Sequence, residues 1–381
     1  MDKTNFDPNI GAQFVGRYYG PQFINVPSRL WPSPSEKETD EAIAKCGQFA
    51  GGDMENLCEV AGRACYDSIG AGRNSREWYK HIQEVHHLSV MEHARLTFEV
   101  PQHYAWHFIN RDGCWMGFPE ILTDCMRVTI NARAVKEWRK WTERIQKFPE
   151  YRAGALRIGC ALWEEFHKKM PLLFCPASEA FTEIGNSIKP VQDIKLFSGP
   201  LSENERAVSL LIHGSRGMSH EWVRHRKGAV SQRSTRFVDE SSTPWIEHPL
   251  ETLFRARQVF ETNAASAVRD HARDFYFVVS NSLRLWLTCN GVSKATALKQ
   301  ARGAARGYLG NALYTELVYT ASITQWKDIL MLRLHPAADG EIRLVALKAL
   351  EILKGVEPAA FSGEQWQTVP APDGIGEVLR A

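Results

Sequence analysis

Arg216, Arg224, Arg226, Lys227, Arg233 and Arg236 crowd into one short stretch that holds a single acid, Glu221. Arg224 and Arg226 flank His225, so cation character is dense within one turn. Ser219, Ser231 and Ser234 place hydroxyls beside backbone N–H groups in the same stretch, and Arg236 follows Ser234 at close range. Arginine forks suit a phosphate or the planar edge of a base through paired hydrogen bonds, and loop amides can share the same anion. The chemistry these types permit is therefore the holding of a small anion such as a nucleotide. A solvated basic helix is the bland reading of the same residues. Ser234 has no Asp-His partner at a recognisable spacing, so it reads as a phosphate ligand and not as a nucleophile.

Elements must position this cluster. Val208 to Gly214 is a short apolar segment that leads into it. Earlier, His86 to His93 runs into Leu96-Thr97-Phe98-Glu99-Val100, a strand stopped by Pro101. Asn131 to Trp138 reads as a helix start, and Ala153 to Phe166 as a further helix with Leu156, Cys160, Leu162 and Trp163 on its buried stripe. Leu253 to Leu287 has helical period and ends near Cys289-Asn290-Gly291. Another helix starts near Ser293 and holds Ala301, Ala304 and Arg306, and Glu341 to Lys354 repeats apolar residues on one helical face. The balance predicts a helix-rich α+β fold.

The chain has 381 residues, 44% hydrophobic and 24% charged, which fits a globular protein with a sizeable core. No apolar run reaches the roughly 20 residues that span a bilayer, and the first residues lack a signal-peptide pattern. The eight cysteines form no Cys-x-x-Cys pair and no zinc-like spacing with histidine, so a reducing, cytoplasmic setting and no metal site are expected. A net charge of +2 argues against a general nucleic-acid binder, because the positive charge is concentrated and not spread along a face.

Arg224-His225-Arg226, followed at fixed distance by Ser234-Thr235-Arg236-Phe237, resembles the diagnostic motif of flavin-dependent thymidylate synthases. Four separated segments share the resemblance. Gly62-Arg63-Ala64-Cys65-Tyr66 is similar to an early family segment, and His87 to His93 to the segment ahead of a strand. Ala305-Arg306-Gly307-Tyr308-Leu309 and Leu332-Arg333 with Glu341-Ile342 resemble two late segments. The chain departs from the pattern at Ala229 (usually serine), Phe237 (usually tyrosine), Gly310 (usually proline) and Ser322 (usually a flavin-holding asparagine).

The resemblance implies an α+β fold, helix-rich with a central mainly antiparallel sheet. It implies residues 51–101 and 206–360 as the catalytic domain, 102–205 as an insertion, 1–50 as an extended arm and 361–381 as a tail. It implies FAD as cofactor, with methylenetetrahydrofolate and NADPH as co-substrates in a homotetramer. Glu221, Arg224, Ser234, Arg236, Arg306 and Arg333 would meet a pyrimidine deoxynucleotide, with Arg306 and Arg333 nearest the chemistry. His93, Arg224, His225, Arg226 and Gln232 would lie by the flavin. Asn131, in an Asn-x-Arg helix start within the insertion, either replaces the missing asparagine or simply caps a helix. Methylation of dUMP to dTMP is the main reading. Hydroxymethylation of a pyrimidine nucleotide and a non-catalytic nucleotide binder are the alternatives.

Overall fold

Three apolar segments become strands that run into helices capped by Asn131, Ser215 and Ser322, within two larger antiparallel sheets. The computed structural model describes residues 11–19, 22–24, 45–109, 120–121, 125–145, 149–181, 190–226, 228–256 and 263–380. The first sheet has the order β2-β1-β7-β9-β8, with β1 at Gly11–Tyr19, β2 at Gln22–Ile24, β7 at Ala207–Ser215, β8 at Ala229–Gln232 and β9 at Tyr314–Ser322. The second has the order β4-β5-β3-β6, with β3 at Arg95–Pro101, β4 at Glu120–Ile121, β5 at Cys125–Asn131 and β6 at Lys195–Leu196. A small hairpin, β10 (Thr368–Pro370) with β11 (Glu377–Leu379), closes the C-terminal end.

Strands β7 and β9 are buried at every position, because the first sheet is covered on both faces. One face packs Val208, Leu210 and Ile212 against Trp326, Ile329, Val345 and Ala349 of the helices Ile323–Arg333 and Gly340–Val356. The other face sends Leu211 and Val318 into a core shared with the helix Asp53–Tyr66 and with Phe98, Val128 and Ile130 of the second sheet. The two sheets therefore share one hydrophobic core.

The expected strand after His93 is β3, and the expected α+β, helix-rich architecture with a central antiparallel sheet is the one found. The stretch read as an N-terminal arm contributes β1, which pairs along β7, while the rest of it to residue 44 lies mostly outside the described residues. The helical run read as Leu253 to Leu287 comprises two helices, Pro249–Ala256 and Asn263–Cys289, and residues 257–262 between them lie outside the described residues. Among the described residues no helix is long and apolar enough to cross a membrane, and no cluster of His, Cys, Asp or Glu could hold a metal ion.

Candidate functional site

The basic cluster sits where β7 ends. Ser215 caps the helix Arg216–Trp222, its Oγ accepting from Met218 N at 3.0 Å. The same residue is gripped by Glu341, whose carboxylate accepts from Ser215 N and from Ser215 Oγ, both at 2.6 Å. Glu341 is 3% exposed, and burial pushes its carboxyl above the usual range despite those donors. Backbone bonds from Arg216 N to Leu313 O and from Gly217 N to Asn311 O fix the first turn to the segment entering β9. Beyond the helix the chain crosses to β8 past Gly228. A Cβ there would lie 2.2 Å from the Tyr319 ring, so only glycine fits. Tyr319 Oη in turn donates to His225 O at 2.6 Å. Lys227 lies outside the described residues.

The helix and the turn after it display cations to solvent. Arg224, Arg226, Arg236 and Arg306 are exposed, and none has a carboxylate partner among the described residues. Arg216 joins them. Burial lowers its pKa, Glu240 opposes this, and the nearby Arg306 lowers it further, which places Arg306 from the late segment beside the signature helix. The His220 pKa is lowered by burial and then by the charges of Arg216 and Arg224. Arg236 packs along the helix Lys294–Ala305, its Nε 3.8 Å from where a Cβ of Gly303 would be. Ser234 Oγ accepts from Arg236 N at 3.4 Å. Cations without a carboxylate partner attract anions.

Arg333, far downstream, reaches the same helix. Its Nη1 donates to Glu221 Oε2 at 2.7 Å, its Nη2 to Glu221 O at 2.9 Å and its Nε to His225 Nε2 at 2.9 Å. Burial, assisted by the Arg333 charge, lowers the His225 pKa to about 4, so the imidazole is neutral near pH 7. Because Nε2 accepts from Arg333, the proton sits on Nδ1. The three expected residues Glu221, His225 and Arg333 are thus brought together in one hydrogen-bonded unit.

Gln232 is on β8, where its Nε2 donates to Ser219 Oγ at 2.8 Å and to Thr315 Oγ1 at 3.3 Å. Its neighbour Ser231 Oγ lies 3.0 Å from His93 Nε2, while His93 Nδ1 lies 2.7 Å from Thr320 Oγ1 of β9. Burial, with a smaller contribution from Arg95, lowers the His93 pKa to about 3. Both ring nitrogens of His93 are engaged by hydroxyls, so this histidine clamps the β8–β9 edge from the segment ahead of β3. Asn131 caps the helix Ala132–Arg144, its Oδ1 accepting from Ala134 N at 2.8 Å. It pairs in register with Arg95, two residues beyond His93. Arg133 pairs with Glu92 and Glu137.

Of the six basic residues in the cluster, Arg233 points elsewhere. It is buried against Asp67 at 3.0 Å, Glu240 at 3.6 Å and Thr243 Oγ1 at 3.2 Å. Glu316 is part of the same buried group, and burial pushes its carboxyl up to about 8. Ser215 and Glu341 together hold the start of the signature helix, and neither that pairing nor a place for His220 was expected, whereas Arg216 was expected as part of the basic cluster. The available signal was the polarity of Ser215 at the junction of an apolar run and the basic helix.

A family described as thymidylate synthase complementing protein matches residues 204–359 of this chain. A flavin-dependent thymidylate synthase of Mycolicibacterium gilvum (strain PYR-GCK) is 36% identical over 162 residues, covering 41% of this chain and 61% of that protein. One from Mycobacterium sp. (strain KMS) is 34% identical over 188 residues, 46% of this chain and 69% of that protein. One from Corynebacterium diphtheriae (strain ATCC 700971 / NCTC 13129 / Biotype gravis) is 32% identical over 206 residues, 54% of this chain and 75% of that protein.

Proposed function

Because this chain belongs to the flavin-dependent thymidylate synthase family, we propose that it transfers a one-carbon unit from methylenetetrahydrofolate to C5 of a pyrimidine deoxynucleotide, turning dUMP into dTMP with FAD and NADPH. The observation that carries this reading is the group Arg224, Arg236 and Arg306, exposed cations without a carboxylate partner among the described residues, drawn from both the signature and the late segment.

In this reading Arg224, Arg236 and Ser234 hold the nucleotide phosphate through charge-assisted hydrogen bonds, and Arg306 approaches the nucleotide from the second side. Arg333 meets the pyrimidine edge from its anchored position on Glu221, where its charge stabilises enolate-like oxygen as C5 becomes nucleophilic. No protein nucleophile is needed, so positioning and electrostatics are the chain's main tasks.

The residues present suit a flavin. Among the described residues His225 is neutral with its Nδ1–H unclaimed, Arg226 has no counter-ion, and Gln232 is fixed by its side chain through the amide nitrogen. When bound, reduced flavin supplies the hydride that completes the methyl group. Arg224, His225, Arg226 and Gln232 would hold it, with the buried His93 supporting the strand of Gln232 from behind and Asn131 buried beside it. The reading is of a cytoplasmic enzyme.

We also take the protein to be a homo-oligomer, as far as a tetramer. The helix Asn263–Cys289 leaves Phe275, Phe277, Val278, Leu285 and Trp286 exposed, apolar side chains of the kind that subunit contacts cover. The purified protein should carry a visible flavin absorbance band. Mass spectrometry after incubation with dUMP, methylenetetrahydrofolate and NADPH should find dTMP. A colourless protein that remains so after addition of FAD, or a hydroxymethylated product, would overturn the reading.

A further inference from the structure

Sheet order β4-β5-β3-β6 repeats sheet order β8-β9-β7-β1, and every pairing in both is antiparallel. The repetition extends to single atoms. The first residue of β3, Arg95, pairs with the last of β5, Asn131, as the first residue of β7, Ala207, pairs with the last of β9, Ser322. Asn131 and Ser322 both cap the helix that follows. The next amide bonds back in the same way, Ala132 N to Ala94 O and Ile323 N to Arg206 O. A buried hydroxyl pair bridges the strands at the same register, Thr97 with Thr129 at 2.9 Å and Ser209 with Thr320 at 2.6 Å.

The helices agree as well. Pro149–Lys169 and Gly340–Val356 align without a gap. Ile158, Leu162 and Phe166 match Val345, Ala349 and Leu353, all at 0% exposure. The ungapped alignment continues past the helix ends to Pro171 with Pro358 and to Phe174 with Phe361, both phenylalanines again at 0% exposure.

Contacts between the two units are reciprocal too. His93, two residues ahead of β3, reaches Thr320 of β9, and Glu205, two residues ahead of β7, reaches Arg127 of β5 at 3.2 Å. Thr320 and Arg127 sit two register positions apart, but the crossing elements are equivalent in both directions, which marks a two-fold relation. The site residues are not repeated. At the positions of Gln232, Glu316, Arg333 and Glu341 the first unit has Ile121, Cys125, Thr142 and Gly154. Residues 102–124 contain Arg111 and no lysine, where the second unit has its basic cluster.

We infer that residues 95–174 are a second copy of the unit 207–361, without the cation cluster, and that it pairs with that unit about a pseudo-dyad. The chain thereby supplies its own partner subunit and one nucleotide site, clamped by His93 from the segment just ahead of the silent copy. The site count rests on the proposed function, and the pseudo-dyad does not.

Hydrogen–deuterium exchange of the full chain tests the pairing. Glu205→Ala and His93→Ala each cut one reciprocal contact, and each is expected to speed exchange in both helices, Ala132–Arg144 and Ile323–Arg333. Glu205→Gln, which keeps an acceptor, serves if the alanine variant does not fold. Acceleration confined to one copy would overturn the pseudo-dyad. Calorimetry with dUMP as probe tests the site count. One dUMP per chain is expected, with none bound by Arg224→Ala/Arg236→Ala. A second equivalent, or binding that survives the double substitution, would overturn the silent copy. A wild-type chain that binds no dUMP would remove the single site and the proposed function together, while the exchange result alone judges the duplication.

Discussion

His93→Gln should change how stability depends on pH, by an amount that follows from burial. The imidazole is fully enclosed, and its pKa falls from the ordinary 6.5 to about 3. The unfolded chain therefore takes up this proton first as pH drops. Stability associated with the neutral ring is complete above about 6.5 and is lost as pH falls from there toward about 3. Each pH unit inside that window costs about 1.4 kcal/mol. Between pH 7 and pH 5 the loss from His93 alone is about 2 kcal/mol, a large share of the roughly 5–15 kcal/mol that usually holds a protein folded.

Glutamine can still bond Ser231 and Thr320 but does not titrate. At pH 7 the variant should be less stable by about 1–2 kcal/mol, the scale of imperfectly replaced hydrogen bonds. At pH 5 the gap should close or reverse. Other groups, including Glu316 at about 8, titrate in both proteins and cancel in the difference. Urea unfolding at the two pH values supplies the comparison. A gap that stays constant to within about 0.5 kcal/mol would refute the reasoning, because it would mean that the ring is charged or hydrated in the folded state.

Three further outcomes are expected. Arg224→Ala removes one charge-assisted contact to phosphate and should weaken dUMP binding by about 10- to 100-fold with little change in melting temperature; unchanged affinity in calorimetry would count against the assignment. Arg333→Gln removes the positive charge beside His225, so the His225 pKa should rise from about 4, though not to 6.5 because burial remains; an NMR titration that finds no rise would show that Arg333 does not set it. Glu341→Ala strips the acceptor from Ser215 N and Oγ at the start of the signature helix and should cost about 2–4 kcal/mol by urea unfolding. A cost below about 1 kcal/mol would mean that water replaces the carboxylate.

The proposed anion-holding residues could be read from the sequence because the requirement is chemical. Arginines and serines at tight spacing have few uses besides an anion, and Arg224 and Arg236 are exposed without a carboxylate partner among the described residues. The unit of Glu221, His225 and Arg333 was legible only as names from a resemblance, since the bond that joins them spans more than a hundred residues and no local pattern encodes it. Arg233 illustrates the opposite limit. It belongs to the same basic run, yet the alternation of β8 and the turn after it points it into the core, where Asp67 and Glu240 neutralise it. Charge counts along a sequence do not distinguish an arginine that faces water from one that faces buried acids.

The helices at Asn131 and Ala153 were read from their periodicity, but the likeness of residues 102–205 to the second unit was illegible for a different physical reason. A core constrains volume, polarity and periodicity but tolerates exchange among apolar residues. Phe166 and Leu353, or Trp138 and Ile329, do the same work with different identities. What persists is the register of the strands, the polar cap at the end of β5 and β9 and the hydroxyl pair between strands, none of which is visible until the pairing is known. The same argument bears on Asn131. The asparagine sought at Ser322 stands at the equivalent position of the other copy, in register beside the segment that sends His93 across to β8 and β9. If Asn131 serves the flavin, Asn131→Asp should lower flavin occupancy while still capping the helix Ala132–Arg144, since aspartate caps as well as asparagine. Unchanged absorbance at unchanged stability would leave the residue as a cap alone.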